Sequence, residues 1–312
     1  MLAMEKKGSE NVAKLDQDKE VSRREASQWA VAWRRFKKNK AGLAGLFIVL
    51  FYFFIAITSP WLAPYPQRSF QTLYEGESGQ PPSLKHPFGT SRTGLDIYSE
   101  VLHGTLGDLY VGVGATIISI LIGIAIGSIA GYSRGGLGEV LLMLSQIFYT
   151  IPLLPIILLA ARVFLILVAQ GFGLTLIMIL LGVFGWAGTA FIVRGEILRI
   201  RELDYVQASR ALGASRGRII LRHIIPNILT PVIVVATLAI AGNILTEVVI
   251  SFLGFGDVNT STWGLTIQEG YSYIRTEWWT TVFPGLATLF AVLGFNLVGD
   301  GLSDAVNPRL RD

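Results

Sequence analysis

The sequence predicts an all-α integral membrane protein with six transmembrane helices and both termini cytoplasmic. Three observations carry that expectation. The 312 residues are 52% hydrophobic and only 15% charged, well below the ~25% charge of ordinary soluble domains. The apolar residues gather into six runs separated by polar segments. Lysine and arginine then fall on alternate sides of those runs, which sets the orientation.

Residues 1–40 are hydrophilic and carry eleven Lys and Arg, and this stretch reads as a cytoplasmic tail. Little before residue 20 can be buried, which predicts disorder there. Ser22 to Glu25 has the spacing of a capping box. It opens a helix with Trp29, Trp33 and Phe36 on one face and Arg34, Arg35, Lys37 and Lys38 elsewhere. That pattern suits a helix lying on an anionic lipid surface rather than a nucleic-acid arm, because an apolar run begins at once.

The first run spans roughly 41–57, and with the polar segment after it forms a unit over 41–108. Pro60, Pro64, Pro66, Pro81 and Pro82 are expected to break regular structure in that segment. The remaining five runs, within 109–312, form the core: about 109–131, 140–169, 174–193, 228–250 and 281–298. The 140–169 run would reach about 45 Å as one helix, against a hydrocarbon core of ~30 Å. A kink at Pro152 and Pro155 is expected, with Arg162 near the outer end. Ala115, Ser119, Gly123, Gly127 and Gly131 form a ladder of small residues four apart, a face suited to close helix packing in lipid. With the N-terminus inside, the inner segments hold the eleven tail charges, Arg134, seven from Arg194 to Arg222, Arg309 and Arg311. The outer ones hold only Arg68, Lys85, Arg92 and Arg275.

Between the fourth and fifth runs lies a polar, arginine-rich insert, 194–227. Capping chemistry predicts two short helices in it. Asp204 would cap the first with Gln207 three residues on, and Gly213 would end it in a left-handed conformation. Ser215 would cap the second and Pro226 would close it. Tyr205, Ala208 and Leu212 share one face of the first helix, with Ser209 and Ala211 small beside them. The residues alone allow a solvated loop that reverses the chain, or a helix that docks on a partner.

The sequence excludes several chemistries. With no cysteine there is neither a disulfide nor thiol catalysis. There is no P-loop, no His-Glu-x-x-His and no cluster resembling a metal site. Gly131-Tyr-Ser-Arg-Gly135 copies a nucleophile elbow, but it follows a membrane helix instead of a strand, and neither His86, His103 nor His223 is placed as a base for Ser133. The strongly polar groups within or beside the spans are Gln146, Arg162, Asn243, Glu247, Asn296 and Asp300. Asn243, Glu247 and Asn296 are the candidates for a path or gate, with a structural hydrogen bond as the equal alternative for Glu247. Glu247 falls about 28 Å along its helix, which places it near the outer surface where water is expected to hydrate it. No spaced chain of carboxylates suggests a proton-driven pump. The glycines and aromatics from Phe252 to Gly264, and Trp278 with Trp279, suit either an interfacial loop folded back on the bundle or an aromatic belt.

The insert resembles the EAA loop of ABC-type importer permeases, in Gln207-Ala208-Ser209, then Gly213, then Ile225-Pro226. It is most similar to the "C" permease type of the dipeptide/oligopeptide/nickel branch. Four further stretches share that resemblance: His86 to Thr90 with Gly94 and Asp96; Val193 to Glu196; Glu247 with Ser251 to Gly254; and Gly299 to Gly301 through Asn307 to Leu310. The chain departs from the pattern at Gln207 and Ser209, usually Glu and Ala, and at Leu95, commonly Arg. The resemblance implies a multi-pass subunit of the cell membrane, not an enzyme, with Tyr205, Gln207, Ala208, Ser209, Leu212, Gly213 and Pro226 in the coupling segment. It also implies a heterodimer with a second permease, two ATP-binding subunits that hold the ATP and magnesium, and an extracytoplasmic solute-binding protein. No cofactor is expected in this chain. Peptides are the implied cargo, with nickel or a sugar as the alternative within the family. A stand-alone channel or secondary transporter is the alternative of another class, and it would need a polar path within one chain.

Overall fold

The computed structural model describes residues 28–67, 77–133, 135–163, 171–220 and 224–306. The capping box at Ser22, the charges Arg68, Arg134 and Arg222, His223, the end of the 140–169 run and the Asn307 to Leu310 stretch lie outside the described residues, as do the side chains of Trp29 and Arg216.

Among the described residues the architecture is helical: α1 (Gln28–Phe36), α2 (Lys40–Leu62), α3 (Ile97–Tyr132), α4 (Gly136–Thr150), α5 (Leu153–Val163), α6 (Gly173–Ile200), α7 (Asp204–Ala211), α8 (Arg216–Ile219), α9 (Ile225–Ile250), α10 (Trp263–Tyr271) and α11 (Trp279–Val306). The helices α2, α3, α6, α9 and α11 are long and apolar enough to cross a membrane, with α9 continuing through a π-turn to Phe255. The pair α4 and α5, bent by 79°, completes six spans if it counts as one. The bend sits at Pro152, which cannot donate the N–H that would continue α4. It is far sharper than an ordinary proline kink.

Several helices outrun their apolar runs. α2 continues to Leu62 and takes Pro60 into its last turn, so this proline does not break the helix. α3 starts at Ile97, well before the apolar run, because Asp96 accepts a hydrogen bond from the Ser99 N–H at 2.8 Å and caps it there. α6 runs on past Val193 to Ile200.

The most extensive helix contact joins α3 to α6, and the small-residue ladder makes it. Ala115, Ser119, Gly123, Gly127 and Gly131 are all buried. A Cβ placed on Gly127 would lie 2.7 Å from the Ala190 carbonyl oxygen and 2.9 Å from the Val193 Cβ, so the backbones meet where no side chain fits. A second layer packs α2 and α9 on α11 around Val49, Tyr52, Ile244, Ala291 and Phe295. The short α1 folds onto α11. Phe36, expected to face lipid with Trp33, is instead only 2% exposed, and it packs over the crossing of Gly42 and Gly301. Asn39 secures that corner: its Oδ1 caps α2 and its Nδ2 donates to Asp304 Oδ2 at 3.2 Å.

Candidate functional site

Two places gather the candidate residues, at opposite ends of the α3–α6 pair. The first is the insert after α6. Its helices are held by one buried side chain each, Val206 on α7 and Ile219 on α8, which join Val193, Ile197, Ile200 and Ile228 in one apolar cluster. Arg201 ties the start of the insert to α3 by donating to the Gly131 carbonyl at 3.2 Å.

Asp204 does not cap α7. The chain leaves α6 through a tight turn in which the Leu203 N–H bonds the Ile200 carbonyl, so the extended cap position falls on Leu203 and Asp204 is already helical. Its charge at the first turn complements the helix dipole. Gln207 makes no capping box either, since its Nε2 donates to the Arg201 carbonyl at 3.0 Å. Ser209 donates back to the Tyr205 carbonyl. The other end follows the expectation. Gly213 has φ +82°, the Ala214 N–H bonds the Ser209 carbonyl and the Gly213 N–H bonds the Arg210 carbonyl, a Schellman closure. Ser215 caps α8 through the Arg218 N–H. Pro226 does not close α8: it lies in the first turn of α9, where its missing N–H costs nothing. Anchored through Val206, α7 presents Tyr205, Ala208 and Leu212 outward, with Tyr205 45% and Leu212 88% exposed.

The second place is at the far end of α3. Glu247, expected near a hydrated surface, is instead 0% exposed. The chain after α9 explains this. The π-turn Ser251–Phe255 and the loop up to α10 fold back over the bundle, and Trp263 lies wholly buried between α3 and α2. That decides between the folded-back loop and the aromatic belt. Ser251 Oγ donates to Glu247 Oε1, and the Trp263 N–H donates to Asp108 Oδ2 at 3.0 Å. The Trp263 indole donates to the Val101 carbonyl, and Ser261 Oγ donates to Glu100 Oε1 at 3.0 Å. Asp257 reaches the other way and accepts from the Gly173 N–H at the start of α6. One turn before Glu247, Asn243 donates to Thr116 Oγ1 on α3 at 2.9 Å. Asn296 is half-buried on α11 and shares no hydrogen bond with Asn243 or Glu247 among the described residues.

Asp108 and Glu100 escaped the sequence reading because they precede the apolar run. A signal was present: Asp96, Glu100 and Asp108 share a four-residue spacing with Gly104, which is one face of a helix that begins early. Beside this cluster the segment 77–96 is docked on the bundle. His86 Nδ1 pairs with Asp96 Oδ1 at 2.8 Å, the Trp279 indole donates to the Thr90 carbonyl, and Phe88 stacks on Phe283. His86 is therefore buried within its loop. Arg92 bonds the buried Glu277 at 3.0 Å, while Leu95 is packed inside. Among the described residues no three His, Asp or Glu are placed to hold a metal.

Residues 123–312 match the family described as binding-protein-dependent transport system inner membrane component, and residues 27–82 match the N-terminal TM domain of oligopeptide transport permease C. The dipeptide transport system permease protein DppC of Bacillus subtilis is 38% identical over 293 residues, covering 93% of this chain and 89% of that protein. The oligopeptide transport system permease protein OppC of the same organism is 34% identical over 292 residues, covering 93% of each. In fold, the chain is similar to one from the MetNI methionine ABC transporter in inward-facing conformations. That match has a TM-score of 0.53 at 18% identity and covers 67% of this chain and 96% of that one.

Proposed function

The chain belongs to the family of binding-protein-dependent transport inner membrane components, and from that premise we propose that it is the permease of an ATP-driven importer of di- or oligopeptides. It is a multi-pass membrane subunit without catalysis of its own. In this reading it lines the path together with a second permease, and an extracytoplasmic binding protein delivers the peptide. Two ATP-binding subunits, which hold the ATP and magnesium, grip α7 from the cytoplasm. Both termini and the insert are then cytoplasmic, in keeping with the seven Lys and Arg between Arg194 and Arg222.

The observation that supports this most is the exposure of Leu212 and Ala208 on α7. A short helix closed at Gly213, anchored by Val206 and exposing Ala208 and Leu212 with Tyr205 45% exposed beside them, is a fitting for another protein. The residues a partner would meet, Ala208 and Ser209, are small enough for close approach. Purification of the tagged chain, expressed with its genetic neighbours, should retain an ATP-binding subunit, and labelled dipeptide uptake should require ATP. A permease that comes down alone and transports without nucleotide would overturn the reading. Competition by peptides, nickel or sugars against that uptake assigns the cargo.

Gly213 offers a test within this chain. A Cβ there meets nothing within 4 Å, so the only penalty on Gly213→Ala is the left-handed backbone. That costs about 1–2 kcal/mol and is confined to the end of α7. We expect normal permease levels, ATPase activity retained in the complex, and uptake reduced several-fold. Unchanged uptake would remove Gly213 from the coupling segment.

A further inference from the structure

We infer that Asp108 and Glu247 bind one proton between them, a site that joins α3 to α9 beneath the folded-back loop 251–263. Both carboxyls are 0% exposed. Each spends one oxygen on that loop: Asp108 Oδ2 accepts the Trp263 N–H, and Glu247 Oε1 accepts the Ser251 hydroxyl. The oxygens left over, Asp108 Oδ1 and Glu247 Oε2, are buried and have no donor. The register of the two helices places these carboxyls opposite each other: Asn243 bonds Thr116 at 2.9 Å, a Cβ on Gly112 would lie 2.5 Å from Ile244 Cγ1, and one turn further along the contact Asp108 comes against Glu247.

Ionised carboxylates only accept hydrogen bonds, so two of them in contact repel and leave both facing oxygens unsatisfied. Among the described residues no lysine, arginine or histidine pairs with either one. Of the ionisable side chains on the elements around them, Glu100 on α3, Asp257 in the loop and Glu269 on α10 are acidic, the His103 ring on α3 meets the Tyr65 carbonyl, and Tyr52 on α2 packs on Trp263. Tyr52 donates its proton to the Ala287 carbonyl. A single proton held by one carboxyl and donated to the other satisfies both orphan oxygens and leaves one negative charge, which the Ser251 and Trp263 donors stabilise. The proton belongs to the pair and not to either residue. Its loss would set two unscreened charges under the loop and unseat Trp263.

The test is infrared spectroscopy of the assembled transporter in lipid nanodiscs, and it stands apart from the transport reading because it needs no cargo. Wild type at neutral pH should show the C=O stretch of a protonated carboxyl, shifted in heavy water. Asp108→Asn and Glu247→Gln should each lose that band yet keep the wild-type melting temperature, since an amide N–H replaces the shared proton. Glu100→Gln should keep the band. Should a variant fail to accumulate, titration of the wild-type band serves instead: the band and Trp263 fluorescence should change over the same pH range, and a fluorescence change without the band's would count against the pair. A spectrum without a band at neutral pH would overturn the proposal. So would a wild-type melting temperature that rises with sodium or potassium but not choline, because the pair would then hold a metal cation.

Discussion

Leu212→Glu is expected to abolish peptide uptake, by more than tenfold (about 1.4 kcal/mol of lost coupling), while the permease accumulates as well as wild type. Leu212 is 88% exposed and outside every buried cluster, so the isolated chain loses nothing by the change, in line with the ~0.5 kcal/mol ceiling for surface substitutions. In the docking proposed for α7, the same position enters a groove of the ATP-binding subunit. A carboxylate there must be desolvated without a partner, which costs several kcal/mol. Tyr205→Ala should have a smaller effect in the same direction, because Tyr205 keeps part of its surface against its own chain. The measurement pairs labelled dipeptide uptake with the amount of ATP-binding subunit that co-purifies. Wild-type uptake and recovery in Leu212→Glu would mean that α7 docks on nothing.

Gly127→Leu should act on the fold and not on coupling. At that rung the α3 backbone touches α6 directly, and even a methyl group would sit 2.7 Å from the Ala190 carbonyl oxygen. That atom is backbone in a 28-residue helix and cannot swing aside. Overpacking an ordinary core costs about 1–3 kcal/mol. Here the whole α3–α6 contact must open, and the expected loss is at or above the top of that range. Folded permease recovered from membranes should fall severely. Gly136→Ala, at a position where an added Cβ meets nothing within 4 Å, should leave the yield unchanged. Normal yield of Gly127→Leu would show that the ladder does not set the spacing of these helices.

These two residues mark what could be read in advance and what could not. The ladder from Ala115 to Gly131 and the left-handed Gly213 are local patterns, so their roles were legible from spacing alone. Near α7, the residue that holds the helix, Val206, was not legible, nor was the shift of its cap from Asp204 to Leu203. Both depend on how the turn after Ile200 lays α7 against Ile219 and Ile228. Pro226 was assigned to the end of one helix and belongs to the start of the next, because proline is equally at home at either boundary.

Legible in the residue order were the membrane class, the approximate positions of the spans, a kink near Pro152 and a short helix, closed at Gly213, between α6 and α9. Those follow from hydropathy and from backbone chemistry within a few residues of each site. The burial of Glu247, Phe36 and His86, and the placing of Asp108 opposite Glu247, came from packing between distant segments. A polar group's environment is set by whatever folds over it, and here that cover is Trp263, 155 residues beyond Asp108 in the chain. No periodicity spans such a distance, so burial, and with it the state of these carboxyls, waits on the packed fold.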